Sequence, residues 1–119
     1  MSKQITILYV DDEPINLMLF EACFNDKYTV ICAESGQEAL DIMEQNPNIT
    51  AVISDMKMPE MNGIEYIKFA KAKYPKLPYY ILTGYNMNSL LADALDEGLI
   101  LKCFFKPLNI EEIEAEICK

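Results

Sequence analysis

Five side chains of this chain have types and positions that could do chemistry together. Each of them ends or directly follows a short apolar run; they are Asp11, Asp12, Asp55, Thr83 and Lys106. Apolar runs bounded by Pro, Gly, Asn or Asp are typical of strands buried on both faces of a parallel sheet. Side chains at the carboxyl ends of such strands lie where open α/β sheets bind ligands. We therefore expect these five to meet at one edge of a sheet.

The chemistry of such a cluster is restricted by the types of its donors. Three carboxylates close together repel one another and gain proton affinity unless a cation lies between them. Oxygen ligands without imidazole or thiolate favour a hard divalent ion, and Mg²⁺ is the ion that we expect. A lysine and a hydroxyl beside the ion would suit a phosphoryl group, the first by compensating charge and the second by donating a hydrogen bond.

Other kinds of site are poorly supported by the composition. The chain has no His, and its four cysteines are scattered without a C-x-x-C pair: Cys23, Cys32, Cys103 and Cys118. Zinc sites and His-dependent triads are therefore disfavoured. A glycine-rich phosphate loop is also missing, which argues against a nucleotide site of the P-loop type.

The elements that must position the cluster alternate along the chain. Five strand-like runs are each followed by a segment with helical periodicity, and the first helix is predicted to begin at Pro14. Strict alternation predicts an α/β fold with a parallel sheet, right-handed crossovers and five helices on the two faces. The doubly wound, flavodoxin-like order 2-1-3-4-5 suits five strands and places the crevice between strands 1 and 3, although the pattern alone leaves another order open.

The length and net charge of the chain limit the number of domains and the kinds of partner that it can have. The 119 residues fit one domain, 1–119, and no apolar run approaches the length of a membrane span. No signal segment opens the chain, which predicts a cytoplasmic protein that does not bind membranes. The net charge of −9 would repel a phosphate backbone, so direct nucleic-acid binding by this domain is not expected.

The motifs resemble those of the receiver domain of two-component response regulators, over essentially the whole chain. The matching pieces, each at a strand end and in the family's order, are Asp11-Asp12-Glu13-Pro14, Asp55-x-x-Met58-Pro59-x-Met61-x-Gly63, Thr83-Gly84 and Lys106-Pro107. Each piece is weak alone, but the ordered set is specific.

The resemblance implies a phosphoacceptor switch rather than a turnover enzyme. Asp55 would take a phosphoryl group from the phosphohistidine of a sensor histidine kinase or phosphotransfer protein. By the same resemblance, Asp12, Asp55 and the main-chain carbonyl of Lys57 would ligate Mg²⁺, and Asp11 would act through water. The partner that receives the signal, an output domain or a separate protein, is not identified by the sequence.

The resemblance also assigns the residues that would report phosphorylation. Lys106 would bind the phosphoryl oxygens, Thr83 would move toward them, and the bond before Pro107 would be cis. The signal would be read at the helix 4–strand 5–helix 5 face, which could also form a phosphorylation-dependent dimer.

Three positions depart from the family or could modulate the site. Cys103 stands where many receivers carry an aromatic switch residue, so this chain lacks the aromatic side chain at that position. Lys57 adds a positive charge, and we hypothesise that it pairs with a site carboxylate when metal is absent. Tyr85 could shield the phosphoryl group from water or simply be exposed.

Simpler interpretations and other function classes remain open from the sequence. Asp11 and Asp12 could cap the first helix, Thr83 could be a satisfied hydroxyl, and Lys106 a surface cation. An aspartate-dependent phosphatase would carry a second acid where Lys57 stands. A flavin carrier would need a Ser/Thr/Gly-rich loop after strand 1. An adaptor that never uses phosphorylation would not need all five side chains of the predicted site.

Overall fold

Strands and helices alternate along the chain as the apolar runs predict. A computed structural model describes residues 5–84 and 86–118. The strands are β1 Thr6–Val10, β2 Thr29–Ala33, β3 Ala51–Ser54, β4 Tyr79–Thr83 and β5 Lys102–Phe105. The helices are α1 Pro14–Phe24, α2 Gly36–Gln45, α3 Gly63–Lys73, α4 Ser89–Asp96 and α5 Ile110–Ile117. Among the residues described, none of the helices is both long and apolar enough to span a membrane.

The five strands form one parallel sheet in the order β2-β1-β3-β4-β5. This is the doubly wound order that the sequence favoured, and the fold class is confirmed. Strand β1 ends in step with both neighbours, since Val10 is in register with Ala33 of β2 and with Ser54 of β3. The loops that follow β1 and β3 therefore leave the sheet side by side, at the point where the direction of winding changes.

Successive side chains of each strand point to opposite faces of the sheet, and the core is therefore divided into two layers. In β1, Leu8 and Val10 face a cluster that includes buried residues of α2, α3 and α4. Ile7 and Tyr9 face the opposite cluster, to which α1 and α5 contribute. Because both faces of the strand are covered, its sequence is a continuous apolar run instead of an alternating one.

Side-chain caps fix where the helices begin next to the sheet edge. At α2 the Ser35 hydroxyl accepts from the Glu38 N–H, whereas the Glu38 carboxylate accepts from the Glu34 N–H and not from the Ser35 N–H, so only one of the two bonds of a capping box forms. The box with both bonds forms at α3, between Asn62 and Glu65. It starts α3 directly after the loop that follows Asp55.

Candidate functional site

The carboxyl edge of the sheet brings the three acids together. One carboxylate oxygen each from Asp11, Asp12 and Asp55 lies within 4.8 Å of the others. The Nζ of Lys106 lies 3.4 Å from Asp11 Oδ2 and 3.7 Å from Asp55 Oδ1. Thr83 is fully buried at the same edge, and its main-chain carbonyl accepts from the Lys106 N–H at 2.8 Å. The structure thus brings four of the five predicted side chains together and places the main chain of Thr83 at the same edge.

The main chain around Asp55 is fixed by hydrogen bonds. The Asp55 N–H donates to the carbonyl of Val10 at 2.7 Å, which extends the pairing of β3 with β1 by one residue. The Met56 N–H donates to Asp55 Oδ1 at 2.9 Å, and the Ser54 hydroxyl donates to the Asp55 carbonyl at 2.8 Å. With the backbone and one oxygen held, the other carboxylate oxygen has a defined direction.

Gly63 allows α3 to begin against this backbone. A Cβ at position 63 would lie 2.2 Å from the Asp55 carbonyl oxygen and 2.9 Å from Ile81 Cδ1. The Gly63 N–H donates to the Met56 carbonyl at 2.8 Å, which closes the loop. The glycine is required by this close approach.

Asp11 is fully buried and held by three donors. Its Oδ1 accepts from the Glu13 N–H at 3.0 Å, while its Oδ2 accepts from the Tyr9 hydroxyl at 2.7 Å and from Lys106. Tyr9 was not predicted as a site residue because it lies inside the apolar run of β1. A signal existed, since a buried tyrosine hydroxyl usually needs a polar partner.

The electrostatics of the cluster favour a cation. Burial raises the pKa of Asp55 to about 6, and the charge of Asp11 adds to the effect. Lys106 and the Met56 N–H oppose this rise in pKa without cancelling it. One ammonium group therefore does not neutralise three carboxylates. Their all-oxygen donor set fits a hard divalent ion such as Mg²⁺.

An open cleft of about 590 Å³ gives access to the acids. The residues that line it are Asp12, Glu13, Asn16, Asp55, Lys57, Gly84 and Lys106. Only 7% of Asp55 is exposed, and it faces this cleft. The arrangement can hold a cation and present one carboxylate to an electrophile that enters from solvent.

Comparison with known proteins decides the family. The sequence model of the response regulator receiver domain matches residues 7–118. The chain belongs to this family. It is a receiver domain of two-component signalling, and its sheet and helices are those of the CheY-like, flavodoxin-like fold.

Relatives of this receiver domain extend over bacteria and plants. Sporulation initiation phosphotransferase F of Bacillus subtilis is 33% identical over 115 residues, which are 95% of this chain and 90% of the relative. A receiver domain from Clostridium thermocellum superposes with a TM-score of 0.85 at 29% identity, covering 96% of this chain and 91% of that one. Chemotaxis protein CheY4 of Vibrio cholerae superposes with a TM-score of 0.86 at 25% identity, covering 97% of both chains.

Some relatives are longer than this receiver domain. The chain spans 65% of the two-component response regulator ORR11 of rice, at 30% identity over 95 residues and 77% of this chain. It spans 26% of the transcriptional regulatory protein ZraR of Escherichia coli, at 33% identity over 116 residues and 97% of this chain.

The structure describes three of the four remaining predicted positions, which are Lys57, Pro107 and Cys103. Lys57 is exposed and lines the cleft, and its modulating role stays a prediction. The peptide bond between Lys106 and Pro107 is cis. Cys103 is buried in the core layer of α2 to α4, and burial raises the pKa of its thiol to about 11. Tyr85 lies outside the described residues.

Proposed function

We propose that this domain is a phosphoacceptor switch in which Asp55 receives the phosphoryl group. The observation that carries the proposal is the joint position of the site residues: a cleft-facing carboxylate, two neighbouring carboxylates and a lysine within 3.7 Å of Asp55 Oδ1. Receiver domains act as signalling switches, and we do not expect turnover of a separate substrate.

The transfer step uses few groups of the protein. An Asp55 carboxylate oxygen attacks the phosphorus of the donor phosphohistidine, a P–O bond forms, and the P–N bond breaks. The electron pair of that bond leaves with the imidazole nitrogen. The Met56 N–H holds one Asp55 oxygen, so the other is directed at the incoming group.

Asp12, Asp55 and the main-chain carbonyl of Lys57 are the groups that we expect to hold Mg²⁺, with Asp11 acting through water. The bound ion would supply neutralisation of the charge that develops on the phosphoryl oxygens. Lys106, whose Nζ lies 3.7 Å from Asp55 Oδ1, contributes a second positive charge. By rotation of its side chain, Lys106 can turn its ammonium group from a carboxylate oxygen to an oxygen of the phosphoryl group.

We propose that Thr83 and Lys106 couple phosphorylation to the surface formed by α4, β5 and α5. Lys106 follows β5 directly, and its N–H is hydrogen-bonded to Thr83 at the end of β4. A dianionic phosphoryl group that draws in both side chains changes the ends of the two strands. Exposed apolar side chains occur on these elements at Leu90, Phe105 and Ile110, and next to them in the sequence at Met87 and Leu101; they suit an output partner or a phosphorylation-dependent dimer.

The phosphodonor, a sensor histidine kinase or phosphotransfer protein, is proposed to approach over α1. Three apolar side chains of this helix are largely exposed: Ile15 at 76%, Met18 at 69% and Leu19 at 52%. They neighbour Asn16, which lines the cleft. An apolar patch next to the acceptor can orient a donor before transfer. The acidic net charge makes a nucleic acid an unsuitable direct partner.

The test is phosphorylation by a small donor in the presence of Mg²⁺. Incubation with acetyl phosphate should add the mass of one phosphoryl group to the wild type and none to Asp55→Asn. An Asp96→Asn variant, which changes an exposed carboxylate on α4, should be modified like the wild type. No adduct on the wild type, or an equal adduct on Asp55→Asn, would overturn the proposal.

A further inference from the structure

Tyr9 contacts the acidic cluster from inside the protein. Its hydroxyl donates to Asp11 Oδ2 at 2.7 Å, a short distance typical of a hydrogen bond to a charged acceptor. Tyr9 is 1% exposed and has no access to a ligand in the cleft. Its hydrogen bond to the site is made through Asp11.

The ring of Tyr9 is fixed in place. It stacks on Phe20 of α1 with ring centroids 4.2 Å apart and planes inclined by 12°. Phe20 in turn contacts Phe24, with centroids 4.6 Å apart. A phenol held by this packing cannot follow a moving carboxylate, so the hydroxyl defines where Asp11 Oδ2 can lie.

Two donors of different kinds share the Asp11 Oδ2 atom. The Tyr9 hydroxyl is neutral and rigid, whereas the Lys106 ammonium lies 3.4 Å away on a flexible chain. Lys106 is also 3.7 Å from Asp55 and, in the function proposed above, has to turn toward the phosphoryl group. The hydroxyl would then be the remaining side-chain donor to Asp11 Oδ2.

We propose that Tyr9 is a positioning residue for the cation site: it holds Asp11 in the orientation that supports Mg²⁺ and leaves Lys106 available for the phosphoryl group. Without the hydroxyl, Asp11 Oδ2 keeps Lys106 as its side-chain donor and is drawn toward it. The cation must then compete with the ammonium group for Asp11. Partners that orient a metal ligand typically change metal affinity by 10- to 100-fold, and since Asp11 acts through water we expect a change at the lower end of this range.

The inference rests on the proposed Mg²⁺-dependent function, and Tyr9→Phe tests it because this variant keeps the stacked ring. Calorimetric titration of the metal-free protein with Mg²⁺ should give a dissociation constant raised about tenfold over the wild type. The matched control is Tyr79→Phe. It removes another buried hydroxyl, which donates to the Tyr74 carbonyl at 2.9 Å, away from the acids. Its Mg²⁺ affinity should stay within about twofold of the wild type.

A double-mutant cycle separates positioning from general destabilisation. If Tyr9 acts through Asp11, then Tyr9→Phe should change the Mg²⁺ affinity less than about twofold in an Asp11→Asn background. With acetyl phosphate as donor, Tyr9→Phe should need about tenfold more Mg²⁺ for half-maximal phosphorylation, and the rate should recover at saturating Mg²⁺.

The outcomes distinguish the inference from the function it rests on. A wild type that binds Mg²⁺ and a Tyr9→Phe variant that binds it equally well would overturn the role of Tyr9 alone. Equal weakening by Tyr9→Phe and Tyr79→Phe would do the same, as would an undiminished effect in the Asp11→Asn background. A wild type that binds no Mg²⁺ would overturn both.

Discussion

At the scale of single residues, Asp55 is placed where its charge is unfavourable without a cation. Its pKa is about 6 in the folded protein against an ordinary value of 3.8, chiefly because it is buried and secondly because Asp11 is close. The folded state therefore binds the proton more tightly than the unfolded state. The stability that this proton supplies is present below about pH 4 and is lost as the pH rises to about 6.

Asp55→Asn should therefore stabilise the metal-free protein at pH 7. A rise in pKa of about two units corresponds to roughly 3 kcal/mol, so we expect a gain of about 1–3 kcal/mol in the free energy of unfolding. Urea unfolding in EDTA at pH 7 and at pH 4 measures it, and the gain should shrink at the lower pH. The control Asp96→Asn should change stability by less than about 0.5 kcal/mol. A loss of stability in Asp55→Asn at pH 7 would contradict the electrostatic account.

Glu60 has a φ of +69°, in the left-handed region that favours glycine. This backbone angle gives a second prediction for a single residue. The Met61 N–H donates to the Pro59 carbonyl at 2.7 Å across this tight turn. A side chain in the left-handed region costs about 1–2 kcal/mol, and glycine removes that cost while adding freedom to the unfolded chain. Glu60→Gly should thus gain about 0.5–1 kcal/mol of unfolding free energy.

Glu60→Ala is the matched control for this variant. It removes the exposed carboxylate but keeps the Cβ, so its stability in urea unfolding should equal that of the wild type within about 0.5 kcal/mol. If Glu60→Ala gained as much as Glu60→Gly, the side-chain charge would be the cause, and the backbone explanation would fail.

At the scale of elements, the contact between α3 and the end of β3 controls the backbone of Asp55. Gly63→Ala would place a Cβ against the Asp55 carbonyl, which is backbone and cannot rotate away. We expect a loss of about 3 kcal/mol or more in unfolding free energy, as for other strained or overpacked sites. Gly84→Ala is the comparison, since the nearest atom to its Cβ would be Lys106 Cδ at 3.9 Å. It should stay within about 1 kcal/mol of the wild type, and equal losses in the two variants would refute the steric account.

The elements themselves were largely predictable from the sequence. Each strand is a short apolar run because both of its faces are covered, and each helix begins near a Pro, Ser or Asn that the sequence shows. The five strand-end residues were predictable for the same reason: parallel strands bring their carboxyl ends to one edge. The strand order was favoured by the pattern, but it required the structure to be established.

Other features depend on how the elements pack against one another and on how deeply each side chain is buried, and a single sequence does not show either. Tyr9 and Asp11 lie two residues apart on one face of the extended chain, whose pairing with β2 continues to the Asp11 N–H, but the sequence does not show that the Tyr9 hydroxyl is close enough to donate to Asp11. The left-handed φ of Glu60 has no signature in its residue type. The closeness of Gly63 to Asp55 arises only when α3 is docked on the sheet.

At the scale of the whole molecule, Mg²⁺ should raise stability by mass action. A ligand that binds only the folded state adds about 2.7 kcal/mol when its concentration is 100 times the dissociation constant. The unfolding midpoint of the wild type should therefore rise with Mg²⁺ concentration. It should fall back when EDTA removes the ion. Thermal unfolding at several Mg²⁺ concentrations measures this.

General charge screening has to be separated from specific binding, because the chain carries a net charge of −9. KCl at the same ionic strength should reproduce only a small part of the stabilisation. Asp12→Asn should lose most of the response to Mg²⁺, since it removes a cleft carboxylate that we propose holds the ion. A response that persists in this variant, or that KCl matches, would locate the effect outside the acidic cluster.

The hydrogen bond between Tyr9 and Asp11 also gives the molecule an optical reporter of its own. The chain has seven tyrosines and no tryptophan, so its near-ultraviolet emission comes from tyrosine. Light absorption and emission by a phenol depend on the group that accepts its proton, and for Tyr9 that group belongs to the acidic cluster. Occupancy of the cleft should consequently change the tyrosine spectrum, and binding can be followed in the unmodified protein without an attached dye.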